Sequence, residues 1–222
     1  MYPEDLDKMS FREKYTGELQ ALVDEVIELG HLCHDRLQGV TGVLSMEDIT
    51  PARELVSGDK EVNRKEYNIN SNAVTLITTQ APVATDTRII ISSIKIAYDL
   101  ERISDNIGNL GEVRKRVKIT NEKLLLRLRT MEQLASLMLK DILTAYLEQD
   151  ASLCEEVYER DEDIDSLFVH VTTSDIFEET DLFVTGQSQL CAKYLERIGD
   201  HVKNIAEHVY FVLTGEKIEK LD

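Results

Sequence analysis

ERISDNIGNLGE, running from Glu101 to Glu112, and ERIGDHVKNIAE, running from Glu196 to Glu207, are versions of one another. They agree at Glu101/Glu196, Arg102/Arg197, Ile103/Ile198, Asp105/Asp200, Asn109/Asn204 and Glu112/Glu207. The chain is an internal duplication. Most of the shared positions are polar, and core packing alone does not select polar residues. A shared function is the better reason for the match.

Apolar residues around both segments recur with helical spacing. Leu195, Ile198, Val202, Ile205 and Val209 follow a 3, 4, 3, 4 pattern, and Leu100, Ile103, Ile107 and Leu110 follow the same one. Such a stripe is the buried face of a helix in an antiparallel bundle. Six helical segments are predicted: Phe11 to Leu44, Thr50 to Thr79, Pro82 to Leu110, Asn121 to Glu148, Ala151 to Glu179 and Leu182 to Leu213. Thr50 before Pro51 reads as an N-cap with proline at N1, Ala81 and Pro82 open the third segment, and Gly111 and Gly215 read as stops. Helices of about thirty residues span roughly 45 Å. The expected fold is all-α, two tandem three-helix bundles, the first over 11–112 and the second over 118–215, with a short linker between them.

The duplication reaches the preceding helix. LVSGDKEVN from Leu55 matches VYERDEDID from Val157, setting Asp59 against Asp161 and Asn63 against Asp165. The register offset is 102 here and 95 at the dodecapeptides, so seven residues are inserted in the first repeat's turn QAPVATD. Turns absorb insertions best.

Composition narrows the function. With 42 acidic against 25 basic residues the formal charge is −17, which repels nucleic acid and anionic lipid and favours cations or basic protein surfaces. Cys33, Cys154 and Cys191 lack C-x-x-C spacing and sit in apolar helical stretches, as reduced core residues of a cytosolic protein do. No apolar run approaches the ~18 residues a membrane helix needs, and the N-terminus lacks an apolar signal region. A cytoplasmic location without membrane insertion is expected.

Glu101/Asp105 and Glu196/Asp200 are spaced i, i+4, so each pair projects from one helix face beside the core stripe, toward solvent. Asp161 and Asp165 have the same spacing on the preceding helix. Helices packed ~8–10 Å apart bring both pairs toward one point, so four carboxylates converge in the second repeat. Clustered carboxylates repel one another unless a cation sits among them. Oxygen ligands without His or Cys suit Mg, Ca, Mn or Fe. The first repeat offers Asp59, Asn63, Glu101 and Asp105, with an amide in place of one carboxylate, and is expected to bind more weakly. The blander alternative is ordinary solvated surface charge.

Other signals are weaker. Glu28 and His31 form an ExxH pair, but Gln133 and Ser136 stand at the aligned positions, against a buried di-iron site. His34, His170, His201 and His208 are scattered, and His201, although next to Asp200, is expected to be exposed. Arg88, with Asp86 near the start of the third segment, is expected to form an ion pair at the bundle end, with an interaction role as the alternative. No P-loop, nucleophile elbow, zinc protease or dinucleotide motif is present.

QAPVATDTR from Gln80, KIAYDLERISDNIGNL from Lys95 and AKYLERIGDHVKNIAEHVYFVLTG from Ala192 resemble the PhoU phosphate-signalling regulators. The resemblance spans about Phe11 to Gly215. It implies two three-helix bundles in a cytoplasmic, non-enzymatic negative regulator of phosphate uptake and phosphate-starvation signalling. The implied partners are the ATPase subunit of an ABC-type phosphate transporter, a membrane sensor histidine kinase, and a second copy in a homodimer. The family's E(D)xxxD motifs bind iron and other cations at the surface, and they match Glu101/Asp105, Glu196/Asp200 and Asp161/Asp165; Asn63 departs from the pattern. Two further classes stay open: a metal-dependent helical-bundle hydrolase or oxidase, for which no acid, base or nucleophile stands out, and a purely structural scaffold.

Overall fold

The computed structural model describes residues 3–79, 82–173 and 181–218. Eight helices appear among them: α1 (Pro3–Leu37), α2 (Val40–Val43), α3 (Thr50–Ser57), α4 (Asp59–Thr79), α5 (Ala84–Arg116), α6 (Glu122–Glu148), α7 (Ala151–Thr173) and α8 (Leu182–Thr214). No strand occurs among the described residues. Helices α1, α4 and α5 pack on one another, as do α6, α7 and α8, and α5 lies along α8 between the two groups. The two stripes meet there: Leu100, Ile103, Ile107, Leu110, Leu195, Ile198 and Val202 are completely buried. Each such aliphatic contributes about 1.5–3 kcal/mol through burial.

Two predicted helices are broken, each at a glycine. The first ends at Leu37, and Gly39 turns the chain at φ 76° before the single turn of α2. Glu132 of α6 fixes that turn. It is buried, and it accepts from Gly39 N at 2.6 Å, from Thr41 N at 2.8 Å and from the Thr41 hydroxyl. A carboxylate at the start of a short helix meets amides with no partner of their own. The loop after α2 is held from the opposite side, where Arg114 donates to Met46 O and Glu47 O, and Ile119 N donates to Leu44 O at 3.0 Å.

The second break, at Gly58, separates α3 from α4. A Cβ there would lie 3.3 Å from the Arg36 Cζ, so the missing side chain makes room for a guanidinium. Thr50 is not the cap. It is the first helical residue, Ile49 caps, and Asp48 Oδ1 accepts from Thr50 N at 2.9 Å. Gly111 is not a stop either, because α5 runs on to Arg116. A Cβ on Gly111 would lie 2.7 Å from Ala52 O, so this glycine serves the close approach of α3 to α5.

Helix α5 starts at Ala84 rather than Pro82, with Asp86 Oδ2 reaching back to Val83 N; Ala81 lies outside the described residues. Asn121 caps α6 through Leu124 N. The fifth predicted segment is helical to Thr173, and its remainder to Glu179 lies outside the described residues. Asp181 caps α8, and Gly215 ends it at φ 81° as expected. Among the described residues Arg88 forms no ion pair; it donates to Thr85 Oγ1 at 3.5 Å. Its guanidinium covers Gly215 and lies 6.0 Å from the Phe211 ring, where α5 begins and α8 ends.

Candidate metal centre

In the second bundle α7 supplies Asp161 and Asp165, and α8 supplies Glu196 and Asp200. Gly199 sets their approach. A Cβ on it would lie 2.8 Å from Ile164 Cδ1 and 3.2 Å from Asp161 Oδ1, so α7 packs directly onto the α8 backbone between the two acids. One oxygen each of Asp165, Glu196 and Asp200 then lie within 4.8 Å of one another. Among the described residues no other three His, Cys, Asp or Glu side chains gather so closely.

The expectation that Glu196 and Asp200 face solvent holds in part for Asp200 and fails for Glu196. Glu196 is 9% exposed and Asp161 1%. The tight α7–α8 contact at Gly199 buries both. Lysines neutralise part of the charge: Lys193 Nζ lies 2.5 Å from Glu196 Oε1, and Lys203 Nζ lies 2.7 Å from Asp161 Oδ2. Each lysine also lies over a ring, Lys193 above Phe168 and Lys203 above Tyr158. Glu196 Oε2 and Asp161 Oδ1 are buried with no hydrogen-bond donor. A carboxylate oxygen out of water without a partner is costly. Burial, and then the charges of Glu196, Asp161 and Asp165, raise the Asp200 carboxyl above its usual range. Three converging carboxylates, two open buried oxygens and a strained proton affinity fit a hard cation with oxygen ligands. Asp165, Glu196 and Asp200 would hold it, with Asp161 beside them, and its charge would offset their repulsion. The cluster is three acids rather than four, because Lys203 draws Asp161 aside.

The first bundle places Asp59 and Asn63 on α4 and Glu101 and Asp105 on α5, but does not gather them in the same way. Asp59 accepts from Ser104 Oγ at 2.8 Å and from the Asn63 amide at 3.1 Å. Arg102 lies between the other two: its Nη1 donates to Asp105 Oδ2 at 2.7 Å, and its Nε stands 2.8 Å from Glu101 Oε2 without hydrogen-bond alignment. Burial first, then Asp105, pushes the Glu101 carboxyl up to about 7.

The repeated acid pairs, the helix order and the close α7–α8 packing are joined by direct likeness to known proteins. The profile of the PhoU domain matches residues 26–113 and again 128–209. The chain belongs to the PhoU family. A Rhizobium meliloti relative, a phosphate-specific transport system accessory protein PhoU homolog, is 33% identical over 90% of this chain and 87% of its own length. A Clostridium acetobutylicum homolog of the same description is 29% identical over 95% of this chain and 99% of its own. The crystal structure of PhoU from Pseudomonas aeruginosa superposes with a TM-score of 0.84 at 24% identity, covering 91% of this chain and 100% of that one. The phosphate transport system regulatory protein PhoU from Streptococcus pneumoniae gives the same score and identity over 92% and 99%. These two structures share the helical-bundle fold.

Beside the acidic strips the PhoU-family bundle holds a polar cluster that the sequence reading missed. Asp99 of α5 is 4% exposed. His201 Nδ1 lies 2.8 Å from its Oδ1, Asn204 donates to the same oxygen at 3.2 Å, and His208 Nε2 stands 3.7 Å from Oδ2. His201 is therefore not a free surface histidine; it bridges α8 to α5 across the two bundles. Burial lowers the His208 proton affinity, and Asp99 works against that shift. The signal was present: Asp99 falls three residues after Ile96 and four before Ile103, on the apolar stripe itself. Asn204 is turned to this cluster, and Glu112 pairs with Lys115 near the end of α5.

Proposed function

We propose that this chain is an accessory protein of phosphate transport that restrains phosphate-starvation signalling, with no catalytic role. It works in the cytoplasm as a rigid helical adaptor between the ATPase subunit of an ABC-type phosphate transporter and a membrane sensor histidine kinase, as a homodimer. What carries the role is likeness along nearly the whole chain to relatives named phosphate-specific transport system accessory proteins. No helix of the described residues is long and apolar enough to cross a membrane.

In this reading the adaptor responds to a metal ion, Fe, Mn or Mg, held by Asp165, Glu196 and Asp200. The open oxygens of Glu196 and Asp161 support that assignment. The ion supplies positive charge to a chain of formal charge −17, and so changes which partner surface the second bundle prefers. Its two units, 11–112 and 118–215, present one acidic strip each.

Binding to purified ATPase subunit and to the kinase's cytoplasmic part tests both halves. The metal-loaded chain binds both, and chelation or Glu196→Gln/Asp200→Asn shifts the ratio of the two affinities. Binding to neither partner contradicts the adaptor role. Equal binding in all three states contradicts the coupling to metal.

A further inference from the structure

The two acidic strips descend from one ancestral strip, yet their counter-charges come from different places. In the first bundle a guanidinium reaches in from α1. Arg36 Nη1 donates to Ser104 Oγ at 2.6 Å, and Nη2 donates to Leu55 O at 2.7 Å, at the end of the gap that Gly58 leaves open. Ser104 passes its own hydrogen to Asp59 Oδ1 at 2.8 Å, and Asn63 takes Asp59 Oδ2 at 3.1 Å. Both oxygens of Asp59 are thereby engaged. Arg102 stands between Glu101 and Asp105, 2.8 Å and 2.7 Å from the nearer oxygen of each.

At the aligned positions of the second bundle every one of these donors is absent or turned away. Glu28 aligns with Gln133, which sets Arg36 against Asp141, and Asp141 pairs with Arg160 instead. Gly199 replaces Ser104, Asp165 replaces Asn63, and Arg197, the counterpart of Arg102, is exposed. Lys193 and Lys203 pair with Glu196 and Asp161 there, and one buried oxygen of each stays unpartnered, as Glu101 Oε2 does in the first strip; among the described residues only the second strip brings three acids, Asp165, Glu196 and Asp200, within 4.8 Å of one another.

We infer that the first strip of this chain is occupied by its own arginines, Arg36 acting through Ser104 and Arg102 acting directly, and that the chain therefore has a single metal-responsive strip, the second. Arginine keeps its charge at any physiological pH and its planar fork matches carboxylates. A cation entering the first strip would have to displace a guanidinium wedged between Glu101 and Asp105, whereas in the second Lys193 and Lys203 hold Glu196 and Asp161 and, among the described residues, leave Asp165 and Asp200 without an ion pair. The first strip is then a permanent strut joining α1, the α3–α4 break and α5, while the second changes charge with metal supply. This inference rests on the reading of the second strip as a metal site.

Mn(II) binding counted by electron paramagnetic resonance on purified full chain, with melting curves in parallel, tests it. Asp59→Asn/Asp105→Asn is expected to keep the wild-type Mn(II) content, and Glu196→Gln/Asp200→Asn to lose it. Arg36→Gln/Arg102→Gln is expected to bind about twice the wild-type amount, and added Mn(II) to restore the melting temperature that this variant loses. Arg102→Gln alone, at a half-exposed position, serves if the double variant fails to fold, and is expected to bind more Mn(II) than wild type. Loss of Mn(II) from Asp59→Asn/Asp105→Asn, or no gain in either arginine variant, overturns the inference. If the wild type binds no Mn(II), the metal reading of the second strip fails by itself. The arginine variants still decide whether Arg36 and Arg102 stand in for a cation.

Discussion

Replacing Gly199 by alanine tests how the second strip is built, because this glycine is where α7 touches the α8 backbone. The new methyl would sit 2.8 Å from Ile164 Cδ1, 3.3 Å from Ile164 Cγ2 and 3.2 Å from Asp161 Oδ1. Ile164 is completely buried and cannot swing into solvent. Overpacking of this kind costs about 1–3 kcal/mol. Alanine in place of glycine inside a helix returns about 0.5–1 kcal/mol. The expected net effect is a destabilisation of about 0–2.5 kcal/mol, or a fall of up to several degrees in melting temperature for a chain of this size. Gly186→Ala isolates the second contribution, since it lies on the same helix with nothing within 4 Å of its would-be Cβ. It is expected to stabilise by about 0.5–1 kcal/mol. Urea denaturation of both variants beside wild type gives the comparison, and Mn(II) binding by Gly199→Ala reports whether the carboxylates still converge. Equal stabilisation by both substitutions would refute the packing argument.

Glu132→Ala leaves Gly39 N, Thr41 N and the Thr41 hydroxyl without their acceptor; a loss of about 2–4 kcal/mol is expected from urea midpoints, and a loss under 1 kcal/mol argues against the clamp. Asp99→Ala removes the acceptor shared by His201 and Asn204, and is expected to speed hydrogen exchange where α5 meets α8; unchanged exchange there contradicts the bridging role. Glu101 sets a pH dependence. Because the fold raises its carboxyl from 4.5 to about 7, folding favours the protonated form, so the stability it contributes is full below about 4.5 and is lost as pH rises through about 7. In chelated buffer, Glu101→Gln should flatten the fall in melting temperature across that window; an unchanged slope counts against the assignment.

Helix positions were legible in the sequence because the apolar stripes of α5 and α8 repeat with the period of a bundle, and the duplicated acids declared the strips. What the sequence concealed was the use of its glycines. Gly39 and Gly58 break helices, whereas Gly111 and Gly199 lie inside helices and admit a neighbouring one; composition cannot separate these uses, since they depend on what packs opposite. The cations were hidden for a related reason. Arg36 reaches the first strip from a helix whose sequence neighbours carry no acidic pattern, and Lys193 and Lys203 look like surface lysines until α7 is laid against α8. Asp99 was readable from its place on the stripe, but its partners come from the other bundle, and pairing across bundles needs the relative rotation of α5 and α8.

The central claim is that Asp165, Glu196 and Asp200 hold a metal ion. Elemental analysis by plasma mass spectrometry on untagged protein, wild type beside Glu196→Gln/Asp200→Asn, measures this directly. Stoichiometric Fe, Mn or Mg in the wild type and its loss in the variant is the predicted result. Equal metal content in the two samples, or none in the wild type, would contradict the claim and leave these carboxylates an acidic cluster offset, among the described residues, only by Lys193.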